Sequence, residues 1–367
     1  MAVIFTGSTY NDLFNTPRFP KKHTMKRGKV LHPPGRLLAS TANIGLFNPF
    51  AAYQLIHSWN FIPAFAAKPW IVTFESAMPR TFGPGSHAVR FLLSGSLHSP
   101  SCRRIIAISE YAVRRARRAW TGFDDLMYKV TVVHPNIEAK EASHTYLGGQ
   151  LIVTFVGNHF ARKGGIVALR MAKLAQQRNL PIRFQIISSL QYARGIYTDH
   201  QDASVYGPDL EGLNLPNVKL MGHLPNVEVM EQMGKSHFLI LPTLHDTYGY
   251  SMLESMSMGV PVIATATAAI PEIVRDGDNG FLLPLDVNSI GDWAHLANMP
   301  VPWPVYDETF TNLAEVAISK LETVIDSPAT WERLSAGALN QIARQHDACR
   351  VGETLEAIYD AAIANSH

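Results

Sequence analysis

The chain has 367 residues, a length that suits two domains of ordinary size better than one core. Hydrophobic residues make up 47% and charged residues 17%, so there is ample apolar material to bury; disorder, collagen, coiled coil and low-complexity scaffold are excluded. The net charge of +2 hides an asymmetry, because residues 1–150 carry 18 basic and 7 acidic side chains, a balance of +11, which leaves −9 for residues 151–367.

Such a positive first part suits an anionic partner: a phospholipid surface, a phosphorylated acceptor or nucleic acid. The two cysteines, Cys102 and Cys349, cannot build a disulfide framework and fit a reducing compartment. No convincing signal or transit peptide opens the chain, and polar residues and prolines interrupt the uncharged stretch Leu37–Ala67, so a cytoplasmic protein without a membrane span is expected.

In chain order, residues 1–36 read as an irregular arm, since Pro17, Pro20, Pro33, Pro34 and a Lys/Arg-rich run crowd Thr16–Arg36. Gln54–Ser58, Trp70–Phe74, Arg104–Ser109 and Lys129–Val133 follow as four strands separated by helices, one of them the Arg-rich Glu110–Trp120. Mixed polarity and the pair Gly148-Gly149 place an interdomain linker in His134–Gln150, dividing the chain into domains 1–145 and 146–367. Beyond it, Leu151–Val156 is a strand closed by Gly157, Gly164–Gln177 a helix, Pro181–Ile187 and Val218–Met221 strands, Val227–Met233 a helix and Phe238–Leu241 a strand. Ser251–Met258 is a helix stopped by Gly259, and Val260–Ala264 another strand. Phe310–Ile325 and Val351–Ala364 are amphipathic helices, the last a candidate to pack back on the first domain. Alternating units of this length predict α/β domains with parallel, doubly wound sheets, whose ligands sit at the carboxyl ends of the strands.

The densest chemistry lies between Pro242 and Ala264. Asp246 and Glu254 are separated by seven residues, with Gly249 where a loop turns into a helix. Such a turn presents the N–H groups of Tyr250, Ser251 and Met252 to a phosphate. Glu254, one turn in, can accept hydrogen bonds from two vicinal hydroxyls, while Asp246 reaches another part of the same ligand. A nucleotide sugar has those parts.

The motif Asp246-x7-Glu254, followed by Gly259-Val-Pro-Val-Ile-Ala264, resembles the Glu-x7-Glu motif and succeeding strand of the retaining GT-B glycosyltransferases of the glycosyltransferase 4 type, the group 1 glycosyl transferases. Ala269–Leu283, Asn217–Gly222 and Phe238–Pro242 match in register, so the resemblance is strong over residues 151–290 and weak over 55–137. It implies a GT-B fold, two Rossmann-like domains facing a central cleft, with a nucleoside-diphosphate sugar as donor, retention at the anomeric carbon, no metal and no cofactor. Glu254 would bind the ribose hydroxyls, Asp246 would face the donor sugar, and the Gly249–Met252 amides would hold the diphosphate.

In the loop Gly157–Gly164 the family places Arg directly after the glycine and Lys five positions later, two cations that neutralise the departing diphosphate. Lys163 is retained, Asn158 stands at the arginine position, and Arg162 is the candidate for the missing charge. Base recognition in the family points to His223 and Leu224, neither of which distinguishes uracil from guanine.

The first domain departs further. Glu75 and Ser76 replace the family's His-Asp pair, and Glu75 is a candidate to meet the acceptor hydroxyl or the donor sugar, as a base or as a mere cap. Gly7 is the nearest counterpart of the family's glycine-rich loop. Arg114, Arg115, Arg117 and Arg118 share one helix and suit an anionic leaflet first, a solvated face second and nucleic acid last. The resemblance therefore implies transfer to a glycan or lipid-linked acceptor in glycan, polysaccharide or glycolipid synthesis, on the cytoplasmic face of a membrane. The competing readings are a GT-B epimerase or phosphorylase and a non-catalytic nucleotide-sugar-binding partner.

Overall fold

Short runs rich in Val, Ile and Leu, bounded by Gly, Pro and Ser, become the strands of two six-stranded parallel sheets and, among the described residues, one two-stranded parallel sheet. The computed structural model describes residues 1–30, 44–45, 52–63, 68–80, 86–140, 142 and 145–364. The strands are β1 (Val3–Thr6), β2 (Thr24–Arg27), β3 (Ile44–Gly45), β4 (Leu55–Trp59), β5 (Ile62–Pro63), β6 (Trp70–Phe74), β7 (Cys102–Ala107), β8 (Val130–Val132), β9 (Leu151–Val156), β10 (Ile182–Ile187), β11 (Val218–Gly222), β12 (Phe238–Leu241), β13 (Val262–Thr265) and β14 (Gly280–Leu283). Chain contacts divide into two units, Met1–Glu138 with Gln345–His367, and Ala139–Arg344. The first crossing falls inside His134–Gln150 but ahead of the expected 145/146 division.

In the first unit the sheet order is β2-β1-β4-β6-β7-β8, every pairing parallel. The chain builds outward from β1 in one direction to β2 and in the other through β4, so the order reverses between β1 and β4. Both faces are covered, which is why β6 reads Trp-Ile-Val-Thr-Phe and is buried at every position. The expected irregular arm is corrected here: β1 and β2 lie within residues 1–36 and pair in register from Val3↔Thr24 to Thr6↔Arg27. Pro33, Pro34 and Arg36 of that arm, and much of the stretch 37–67, lie outside the described residues.

The final helix, Ala348–Ala364, belongs to this first unit. Its Val351, Leu355, Tyr359 and Ala362 join Ile4, Leu55, Ile71 and Ile106 in one buried cluster. Glu356 on the same helix is buried, and its Oε1 accepts the amides of Lys21, Lys22 and His23 at 2.9, 2.7 and 3.3 Å, which fixes the approach to β2. His57 on β4 is enclosed, with Tyr359 Oη 2.8 Å from Nδ1 and Thr73 Oγ1 2.7 Å from Nε2; burial lowers its pKa to about 3, so it is neutral and structural.

In the second unit the order is β11-β10-β9-β12-β13-β14, again all parallel, with the reversal between β9 and β12. Helices Gly165–Gln177 and Trp303–Ile325 cover this sheet, their buried residues joining those of β9, β10 and β12 in one large core. Among the described residues no helix is long and apolar enough to cross a membrane.

Candidate functional site

In a doubly wound sheet the loops leaving the carboxyl ends of the two strands at the reversal splay apart and leave a crevice. In the second unit those loops are 157–164, after β9, and 242–249, after β12. Gly157 closes β9, its amide donating to Ile187 O at 3.1 Å, and Lys163 N–H and Gly164 N–H turn back onto His159 O and Ala161 O at 3.0 and 2.9 Å. Gly164 has φ +92°, and a Cβ there would stand 2.3 Å from Pro242 O, so only glycine lets the two loops touch. The contact is locked from the other side, where Leu244 N–H and the Thr243 hydroxyl both donate to Arg162 O at 3.2 and 2.9 Å.

The result is an ion pair between Lys163 and Asp246, 83 positions apart in sequence. Asp246 is only 8% exposed. Burial alone would raise its carboxyl, but the Lys163 ammonium, reinforced by Arg162 and His245, holds it below the usual carboxylate range. Asp246 is therefore a carboxylate at neutral pH.

Gly249 has φ +80° and turns the loop into the short helix Tyr250–Met256. Met252 N–H donates to Gly249 O at 2.9 Å, which commits that amide to the turn and corrects the expectation that it joins Tyr250 and Ser251 in meeting a phosphate. Glu254, 6% exposed, accepts from Asn226 Nδ2 at 3.1 Å. Its carboxylate is thus tied to the helix Asn226–Gly234, which follows the turn after β11.

Asn158 is exposed, and its Oδ1 accepts from Ser189 N–H and Oγ–H at 3.3 and 3.1 Å and lies 3.4 Å from His223 Nδ1. It links the carboxyl ends of β9, β10 and β11, and Leu224 follows half-buried beside it. No cation stands at this position. Arg162 is half-buried, its Nε has no hydrogen-bond partner among the described residues, and its charge acts on Asp246, His159 and Asp199. Asp199 is 1% exposed, accepts Ala193 N–H at 3.0 Å, and is pushed by burial to about 7 even against the Arg162 charge.

Glu75 belongs to the first unit, just past β6, among a different set of neighbours. Its amide donates to Asn60 Oδ1 at 3.1 Å, and its Oε1 accepts Arg80 Nη1 at 2.9 Å. Arg80, Asn60, Trp59, Phe61 and Gly7 line a cavity of about 340 Å³ at the carboxyl edge of that sheet. The sequence reading missed Asn226, Ser189, Asp199 and Arg80. Asn226 and Ser189 meet their partners across 28 and 31 positions, which no local spacing announces, and Arg80 meets Glu75 only because the loop after β6 folds back.

Residues 150–295 match the family model "Glycosyl transferases group 1". A D-inositol 3-phosphate glycosyltransferase of Nocardioides sp. is 23% identical over 323 residues, 80% of this chain and 64% of that protein. An N-acetyl-alpha-D-glucosaminyl L-malate synthase of Bacillus anthracis is 30% identical over 89 residues, 24% of this chain and 22% of that protein. The chain spans less than two thirds of the length of either relative. Among solved structures, Anabaena HepE in complex with UDP superposes with a TM-score of 0.61 at 13% identity, covering 98% of this chain and 100% of that one. The sucrose-phosphate synthase of Thermosynechococcus elongatus gives 0.60 at 12% identity over 100% of both chains. Residues 150–295 are thus a group 1 glycosyl transferase domain, carried on the two-domain GT-B fold.

Proposed function

We propose that this chain transfers a sugar from a nucleoside-diphosphate sugar to an acceptor, with retention at the anomeric carbon and without a metal. The observation that carries the reading is the assembly, at the β9/β12 crevice and inside the matched segment, of Lys163 against Asp246 and of Glu254 against Asn226. A nucleoside diphosphate leaves poorly unless its growing charge is offset. Lys163 supplies one cation, Arg162 a second, and the Tyr250 and Ser251 amides the dipole of a helix start. Lys163 then exchanges part of its contact with Asp246 for the diphosphate, which turns Asp246 toward the sugar. Glu254 accepts the ribose hydroxyls, and the base passes by His223 and Leu224. The departing diphosphate takes the acceptor proton on the face of attack, so no further base on the donor side is required.

Glu75 is the proposed contact for the acceptor hydroxyl or donor sugar. The acceptor is proposed to be a glycan or lipid-linked saccharide, with the first unit resting on an anionic cytoplasmic membrane face. Arg114, Arg117 and Arg118 are exposed on the helix Glu110–Ala119 and Arg115 is half-buried. Arg117 is partly neutralised by Asp124 at 2.6 Å.

One observation favours a second reading. Asn158 hydrogen-bonds Ser189 where the family carries a cation, and a chain lacking that charge can bind the nucleotide sugar without cleaving it. Nucleotide release from UDP- and GDP-sugars, with and without saccharide acceptors and in the presence of EDTA, separates the readings. Acceptor-dependent release in EDTA, with the donor's anomeric configuration kept in the product, supports the proposal. Strict dependence on Mg²⁺ or Mn²⁺ contradicts metal independence, and conversion of the donor to an isomeric nucleotide sugar without acceptor identifies an epimerase. Binding without release identifies a non-catalytic partner.

A further inference from the structure

We infer that the amino edge of the first unit's sheet holds a binding site for a phosphate-bearing anion, formed by Arg103, Arg104 and Lys129. Along β7 the register with β6 slips: Trp70 opposes Cys102 while Ile71 opposes Arg104, so Arg103 is the extra residue of a bulge. Successive strand side chains ordinarily point to opposite faces, and a bulge re-aims one of them. Arg103 and Arg104 here line the same cavity, of about 330 Å³, together with Lys129, Tyr128 and His98.

The charge in this cavity has no counterpart on the described residues. Neither Arg103 nor Arg104 makes a side-chain hydrogen bond or ion pair among them, and Nε of Arg103 is buried without a partner. Lys129 is buried, and its Nζ donates to the carbonyls of Leu97, His98 and Ser99 at 2.9, 3.2 and 2.9 Å, closing the end of the helix Ser86–His98. Those carbonyls fix the ammonium in place but bring no net negative charge. Cys102, at the wall of the cavity, has its thiol pushed up to about 12 by burial, against the opposing pull of Lys129, and stays neutral.

Two guanidinium forks match an anion with several acceptor oxygens, since each fork engages two of them, and the Lys129 ammonium, its three protons held by carbonyls, adds its charge. A phosphate group meets that demand, whereas a single carboxylate fills one fork. The site lies at the start of β7, at the opposite end of the sheet from Gly7, Asn60 and Glu75, and does not rest on the proposed transferase reading. The same chemistry is offered by a free phosphate and by a phospholipid headgroup.

Both sources are tested with the full chain. Calorimetry with inorganic phosphate and with pyrophosphate at low ionic strength forms one arm. Flotation with phosphatidylcholine vesicles, with or without phosphatidylglycerol, forms the other. Arg103→Gln/Arg104→Gln should lose roughly tenfold or more in affinity in at least one arm. Lys26→Gln/Lys219→Gln, which removes the same charge from exposed strand positions, should stay near wild type in both. Loss confined to the first arm assigns a soluble phosphorylated ligand, and loss confined to vesicles containing phosphatidylglycerol assigns a headgroup. Arg103→Lys/Arg104→Lys keeps the charge but not the forks and should also bind more weakly; it carries the test if the glutamine variant does not fold. Equal binding by wild type and both arginine variants in both arms, including no binding by any of them, overturns the inference.

Discussion

Both units reverse strand order within a parallel sheet, between β1 and β4 in one and between β9 and β12 in the other, yet the two crevices are furnished differently. In the second unit the loops after β9 and β12 touch through Gly164, and the contact brings buried charge together: Lys163 on Asp246, with Glu254 held by Asn226. In the first, aromatic Trp59 and Phe61 line the cavity with Asp12, Lys29 and Arg80, Glu75 pairs with Arg80, and His57 is neutral and enclosed. One topology thus supports two chemistries, because the sheet fixes only where loops converge and the loop residues decide what they offer. The second crevice suits a highly charged ligand. The first sets aromatic rings beside its charges.

Breaking the charged crevice should give the largest effect. Lys163→Ala leaves Asp246 buried without its cation and removes charge from the leaving group; turnover should fall by about 10²-fold or more, with the melting temperature also lowered. A steady-state assay with the best donor and acceptor checks it, and a loss of less than threefold would take Lys163 out of the chemistry. Glu254→Gln should be milder, weakening nucleoside-diphosphate affinity by roughly tenfold while the fold survives, because an amide accepts from hydroxyls less strongly than a carboxylate. Calorimetry with UDP and GDP reads that change directly.

On the first unit, substitutions should alter stability and leave nucleotide affinity alone. Glu356→Gln weakens three amide contacts near β2 and should cost about 1–3 kcal/mol in urea unfolding. A pH slope of comparable size should accompany it. Burial lowers His57 and His346 to about 3, against 6.5 when unfolded. As the pH falls below 6.5 the unfolded chain takes up these protons and the folded one does not. Stability is therefore complete above that pH and lost progressively toward pH 3, by at most about 1.4 kcal/mol per pH unit for each histidine. Unfolding midpoints of the wild type and His57→Gln at pH 7 and pH 5 test this; the variant should show the shallower decline.

The same contrast governs what the sequence discloses. In the second unit β9, β10, β12 and β13 are local apolar runs, β9 and β12 ended by Gly157 and Pro242, and all four are readable within a residue or two, whereas β14 and the helix Pro328–Gln341 are not. β2 is not, because Thr-Met-Lys-Arg is an exposed edge strand with no apolar face to announce it, and β1 is only four residues long. The spacing of Asp246, Gly249 and Glu254 lies on one loop and helix and can be read directly. The Lys163–Asp246 pair and the Asn226 anchor depend on loops meeting in space, and the Glu75–Arg80 pair on how one loop folds back over five residues. The commitment of Met252's amide to Gly249 is not legible in the sequence, because it is a property of the turn rather than of the residue type.

The central claim, that a nucleoside-diphosphate sugar occupies the β9/β12 crevice, is tested most directly by hydrogen exchange of the full chain with and without UDP and GDP at saturating concentration. The account predicts slowed exchange in residues 157–164 and 246–256, with the effect weakened in Glu254→Gln. Protection confined to the first unit, or none in either loop with a nucleotide shown by calorimetry to be bound, would contradict it.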